Sequence, residues 1–184
     1  MNTGLDMWKT LLRRYWQVAL FKESPANTPY SPMLLIGFTL LFFVLIILQW
    51  LVTVQDNLAF LPTIVIATSL VFTYYLYTFL LLKINKTVNR SIQTITTLLA
   101  VHFIIHFLSF PLLLLVPFFT EVSAYPSLVL ILGIIYLIAT VGLTVWQFLA
   151  TAFIYRYALD IQLLPSLLAS FGLMVFNMLV VLFW

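Results

Sequence analysis

Five long apolar runs, at residues 32–54, 60–82, 91–117, 128–154 and 162–184, take up most of this chain, and every Lys and Arg lies in alternate gaps between them. Lys9, Arg13, Arg14 and Lys22 precede the first run. Lys83, Lys86 and Arg90 separate the second from the third, and Arg156 the fourth from the fifth. The two remaining gaps hold Asp56 and Glu121 as their charged residues. About 20 apolar residues carry a helix across ~30 Å of hydrocarbon. Lys and Arg stay on the cytoplasmic side, whereas translocated loops shed them. The pattern predicts an all-α, polytopic membrane protein of five transmembrane helices, with its N-terminus cytoplasmic and its C-terminus on the far side. Lipid cannot satisfy an open backbone, and barrel strands would alternate where these runs do not.

Composition narrows the function classes. Hydrophobic residues make up 64% of the 184 and charged ones 7%, with a mean hydropathy of +1.17. Soluble domains carry roughly 25% charged residues, so this surface must face lipid or apolar protein. A sequence pI of 9.3 raises nucleic acid as a partner. The cations are instead spread over three stretches, which the topology rule and anionic headgroups explain. The bilayer is the expected partner, and nucleic acid is not. The chain has no cysteine, which removes disulfides, thiolate metal sites, Cys nucleophiles and Cys lipidation. The first run is too long for a signal-peptide core and lacks a small-residue cleavage site, so it is expected to be a retained span.

Two parts are expected: residues 1–31, a cytoplasmic amphipathic helix with a proline-rich connector, and residues 32–184, the five-helix transmembrane domain. In residues 5–22, Lys9, Arg13, Arg14 and Gln17 share one arc of a helical wheel. Trp8, Leu11, Leu12, Tyr15, Trp16, Val18 and Ala19 fill the other. That composition predicts a helix lying in the membrane interface, or one docking on a partner. Residues 23–32 hold three prolines and should be an extended connector, with Ser31-Pro32 capping the first span. Residues 55–57 and 118–127 should be external turns, and 83–90 and 155–160 internal ones. Pro111 should kink the third span, which Asn89 or Ser91 should cap.

The most chemical-looking pair is His102 and His106, the only two histidines. Their spacing puts them on one helical face, about 6 Å apart along the axis. Such a pair can hold a metal or relay protons. No Asp, Glu or Cys lies within a predicted membrane core to complete a metal shell, and a di-haem site needs four His. Interhelical hydrogen bonding is the plainer reading. The fourth span carries a polar seam of Gly133, Tyr136, Thr140, Thr144, Gln147, Thr151 and Tyr155. Small and hydroxyl residues of this kind pack helices together; the alternative is the lining of a permeation path. Ser166, Ser170 and Asn177 on the fifth span, and Thr73, Tyr74 and Tyr77 on the second, could face that seam. Arg156 and Asp160 are spaced for an exposed ion pair, the alternative being contact with lipid headgroups. Neither a Gly-x-Ser-x-Gly elbow nor a glycine-rich phosphate loop occurs, nor a pair of intramembrane Asp. No catalytic residue, metal ligand or cofactor is assigned. His102, His106, Tyr136, Thr140, Gln147 and Thr151 form the candidate polar intramembrane site.

Two strings, NTPYSPMLL (27–35) and RSIQTITTLLAV (90–101), resemble segments of small, uncharacterised proteobacterial inner-membrane proteins. The five-span architecture behind a cytoplasmic N-terminus loosely resembles the Yip1-type membrane fold, although the Asp-Leu-Tyr-Gly-Pro string of its eukaryotic members is missing. The resemblance implies a bacterial inner-membrane protein and no particular activity. The expected function is therefore non-enzymatic: a scaffold or accessory subunit that organises partner membrane proteins or self-associates. The rival is a small transporter or channel subunit using the polar seam. A haem- or metal-binding role for His102 and His106 ranks third.

Overall fold

A computed structural model describes residues 3–53, 60–116 and 126–184; the turn at 55–57, most of the loop at 118–127, and with them Asp56, Glu121 and Pro117, lie outside the described residues. Among the described residues the secondary structure is helical, with no strand. The helices are α1 (Thr3–Ala19), α2 (Pro32–Thr53), α3 (Phe60–Ile84), α4 (Ser91–Leu113), α5 (Pro126–Leu159) and α6 (Leu163–Phe183). From α2 onward, all five are long and apolar enough to cross a membrane. Their lengths run from 21 residues in α6 to 34 in α5. The latter would extend roughly 50 Å at 1.5 Å per residue, well beyond one hydrocarbon thickness.

The five long helices close into a ring in the spatial order α2, α4, α5, α6, α3, with α3 also leaning in to touch α4. The ring is packed unevenly. Leu82, Leu98, Leu99, Val101, Ile154 and Tyr155 are fully buried, at the end of the bundle where α3 and α5 finish and α4 begins. At the other end, α5 exposes Leu130, Ile131, Ile134, Ile135, Leu137 and Ile138, which together cover nearly half of the helix circumference. Lipid-facing Leu and Ile of this kind cost nothing in hydrocarbon, so the opened half is physically admissible there.

The basic residues gather at the packed end. Arg90 donates to the Tyr157 and Ala158 carbonyls, at 2.8 and 3.5 Å, capping the C-terminus of α5 with a cation. Lys83, Lys86 and Arg156 lie exposed around it. No ion pair joins Arg156 to Asp160, which corrects the expected surface pair. The expected Asn89 or Ser91 cap is also replaced: Arg90 occupies the N-cap of α4 and makes no side-chain capping bond. Ser31 caps α2 as expected, its Oγ accepting from Leu34 N at 3.4 Å, with Pro32 in the first helical position.

Two differences concern the N-terminal part. The connector is not simply extended. Pro25–Asn27 forms a 3₁₀ turn, and Gln93 on α4 donates to the Ala26 and Thr28 carbonyls at 2.8 and 2.6 Å. Thr28 is buried with its hydroxyl 2.8 Å from that of Thr97. Helix α1 is amphipathic as expected, but protein covers half of its apolar face. Tyr15, Val18 and Ala19 are fully buried, while Trp8, Leu12 and Trp16 stay exposed. Tyr15 meets Phe38 edge-on at 4.9 Å, and Phe21 meets Phe153 at 5.4 Å. Trp146 stacks edge-on against Trp16 and donates its indole N–H to the Ala19 carbonyl at 2.7 Å. Trp146 thus ties the C-terminal end of α1 to α5, beside the packing of α1 on α2 and α4.

Candidate functional site

Most hydroxyls in these helices turn back on their own backbone. Thr94, Thr96, Thr97, Thr140, Thr144 and Thr151 each donate to the carbonyl four residues earlier, at 2.6 to 2.8 Å. A threonine satisfied this way can sit in an apolar setting without a partner helix. Of the polar side chains that do reach across the ring, His102, His106, Gln147 and Gln49 belong to one connected network.

Because the Thr151 hydroxyl gives its one proton to Gln147 O, its oxygen can only accept from His102 Nε2, 2.7 Å away. His102 is therefore protonated at Nε2, and its Nδ1 is the acceptor. Nδ1 receives the Tyr74 hydroxyl at 2.6 Å, with Gln147 Nε2 at 3.0 Å sharing the same acceptor. His106 carries its proton on the other nitrogen. The Gln49 amide NH₂ donates to the His106 carbonyl at 2.9 Å and to Ser109 Oγ at 3.2 Å, which fixes that amide's orientation. Its Oε1 then accepts from His106 Nδ1 at 2.9 Å. The lone pair on His106 Nε2 faces only Gln147 Nε2, at 3.5 Å, the weakest contact in the network. One polar chain thus links α2, α3, α4 and α5 through two neutral imidazoles of opposite tautomer.

Two cavities meet at this chain. One of about 400 Å³ runs from the buried His102, Thr151 and Ser170 towards the exposed Val181 and Leu182, between apolar walls that include Phe42, Leu173 and Met178. A second, of about 310 Å³, is lined by Thr53, Ser109, Leu112, Tyr136 and Thr140. Both are lined by Gln49, Trp50, His106, Thr144 and Gln147. Past His102, towards the basic end, the ring is closed by packed side chains and by a 2.9 Å hydrogen bond between Thr78 and Tyr155.

Of the predicted site residues, His102, His106, Gln147 and Thr151 come together in the network. Tyr136 and Thr140 lie farther along α5, on the wall of the second cavity. Ser170 faces the seam, donating to Phe148 O at 2.7 Å, and Tyr77 instead reaches Ala169 O on α6 at 2.8 Å. Asn177 lines the larger cavity. Ser166 is buried but bonds its own helix at Leu163 O, and Thr73 likewise bonds Ser69 O. Gln49 was missed by sequence reasoning; the one signal was an amide inside the otherwise apolar run LIILQWL. Gly133, read as a packing residue, has open space where a Cβ would stand, and it is Gly172 whose added methyl would strike the Tyr77 hydroxyl.

The donor set is spent largely on itself. Among the described residues no Asp, Glu or third His stands with His102 and His106. Three of the four ring nitrogens are held by bonds of 3.0 Å or less, so a metal or haem iron would have His106 Nε2 as its one readily freed ligand. No protein-family model, no curated protein and no solved structure matches this chain.

Proposed function

We propose that this is a five-span protein of a bacterial inner membrane, N-terminus in the cytoplasm and C-terminus outside, which acts by binding rather than by catalysis. Its role on this reading is that of a scaffold or accessory subunit for partner membrane proteins. The observation that supports it best is the outer half of α5, where Leu130, Ile131, Ile134, Ile135, Leu137 and Ile138 form a broad apolar face that nothing in the ring covers. The hydroxyl-bearing seam runs along this stretch, and Gly133 leaves room there for another helix to approach closely. The orientation rests on the basic end of the bundle facing the cytoplasm. The inner-membrane assignment rests on the resemblance carried by residues 27–35 and 90–101.

Purification in a mild detergent followed by native mass spectrometry tests the reading. A stoichiometric membrane-protein partner, lost when Ile134 and Ile138 are changed to Ser, is the expected result. A monomer that by itself moves a solute across liposomes would replace it with the rival. The two contiguous cavities favour that rival, a small transporter or channel subunit. In that case Gln147→Ala and His102→Ala would abolish the flux.

A further inference from the structure

We propose that the larger cavity is a binding site for a neutral, membrane-soluble alcohol: an apolar body with a hydroxyl headgroup. The cavity's unspent hydrogen-bonding capacity is all of one kind. Asn177 Oδ1 is buried with no partner. The Tyr74 hydroxyl gives its proton to His102, so only an Asn177 N–H can meet its oxygen, which leaves Oδ1 the free end of that amide. Gln147 turns its NH₂ to the two imidazoles, and its Oε1 makes no hydrogen bond. His106 Nε2 keeps a lone pair held only by the 3.5 Å contact. These three acceptors line one space, and each lacks a good donor.

Acceptors of this kind select a ligand that donates. A phosphate, carboxylate, ketone or ether offers only lone pairs and would leave all three without a donor, at the cost of a buried unpaired polar group in the case of Asn177 Oδ1. An ammonium group donates, but it would be buried without a counter-charge, since no Asp or Glu lines the cavity. A hydroxyl meets both conditions. The remaining wall is apolar and includes Phe42, Leu70, Leu173, Met174 and Met178. The two methionines are unbranched and adapt to an irregular hydrocarbon body. A volume of about 400 Å³ falls in the range of small-molecule sites. The exposed Val181 and Leu182 at its end put the way in among the apolar C-terminal turns of α6, where a ligand already dissolved in the bilayer would enter. The inference is independent of the scaffold reading, since a subunit with or without partners can carry it.

The test uses the full chain in phosphatidylcholine nanodiscs with a diazirine-bearing dodecanol as photoprobe. Labelling is expected on the cavity wall, at Trp50, Met174 or Met178. Excess dodecanol should displace it, and dodecyl methyl ether, which keeps the oxygen but loses the donor, should not. Asn177→Leu removes the acceptor at nearly constant volume and should cut specific labelling about fivefold, as the loss of one neutral hydrogen bond implies. Labels scattered over lipid-facing positions such as Leu168 and Phe171, or equal displacement by the ether, would overturn the proposal. The competition needs no substitution, so it decides the matter even if the Asn177 variant fails to insert.

Discussion

Replacing Gln49 by Leu would strip His106 Nδ1–H of its acceptor while leaving the imidazole in the ring. An orphaned buried donor costs about 1–3 kcal/mol. Thermal unfolding in detergent should register that loss for Gln49→Leu, and the double change Gln49→Leu/His106→Leu should recover most of it. Equal losses in the single and double variants would show that the pair is not coupled. Tyr15 gives the opposite sign. Its hydroxyl is buried without a partner, so Tyr15→Phe should be neutral or stabilising. Burial also pushes the Tyr15 hydroxyl up to about 12, from 10.0. Burial penalises only the ionised phenol, so stability is unaffected below pH 10 and falls as pH climbs from 10 towards 12, because the unfolded chain ionises first. Fluorescence of Trp16 and Trp146 should therefore report α1 loosening over that window in the parent chain, and less so in Tyr15→Phe. At Gly172 the helix approaches Tyr77 so closely that Gly172→Ala must displace the phenol and break its bond to Ala169 O. A destabilisation of about 1–3 kcal/mol is expected, despite alanine's better helix propensity. At this scale the sequence marked His102, His106, Gln147 and Thr151 because polar groups stand out in apolar spans. It could not mark Gln49, since a single amide on a helix has no period, nor could it reveal which lone pairs stay free. Those depend on where four helices place their side chains relative to one another.

Three helices end alike, all at the basic end of the bundle. Phe21, Lys86 and Asp160 have φ of 61°, 59° and 54°, the left-handed conformation that favours glycine. Each closes its helix with a bond from the following residue back to a carbonyl in the last turn: Lys22 to Gln17 at 2.9 Å, Thr87 to Leu82 at 2.9 Å, and Ile161 to Arg156 at 3.2 Å. Lys86 and Asp160 are exposed, so Lys86→Gly and Asp160→Gly should each stabilise by up to about 1 kcal/mol, read as a rise in thermal midpoint. Phe21→Gly should not, because it forfeits the contact with Phe153. The five long apolar helices themselves were legible from length and apolarity, down to Ser31-Pro32 at the start of α2. The docking of α1 was not: a helical period of Trp, Leu and Lys reveals an apolar face without saying whether lipid or protein covers it. The end of α5 was misjudged for a related reason. Tyr155, Arg156 and Tyr157 look like a polar turn in sequence, yet Tyr155 is fully buried and the helix runs on to Leu159.

For the whole molecule, the asymmetric placement of Lys and Arg makes one prediction that does not depend on any partner. A reporter active only outside the cytoplasm, fused after Trp184, should be active, and silence there would end the five-span orientation. The packed end of the ring has a further consequence, in time rather than in space. The docking site of α1 includes Trp146, whose bond to Ala19 joins residues 127 positions apart. At synthesis rates of about 5–20 residues per second, α1 leaves the ribosome roughly 6–25 s before its last partner exists. During that interval Phe38 and then α4 can cover Tyr15, but the end of α1 that meets Trp146 has no partner from its own chain and is left to an interface. The interfacial character written into residues 5–22 then describes a stage of biogenesis as much as a resting place. Brominated lipid should quench Trp16 fluorescence more strongly in arrested nascent chains ending before Trp146 than in complete chains, where the Trp146 ring covers part of it.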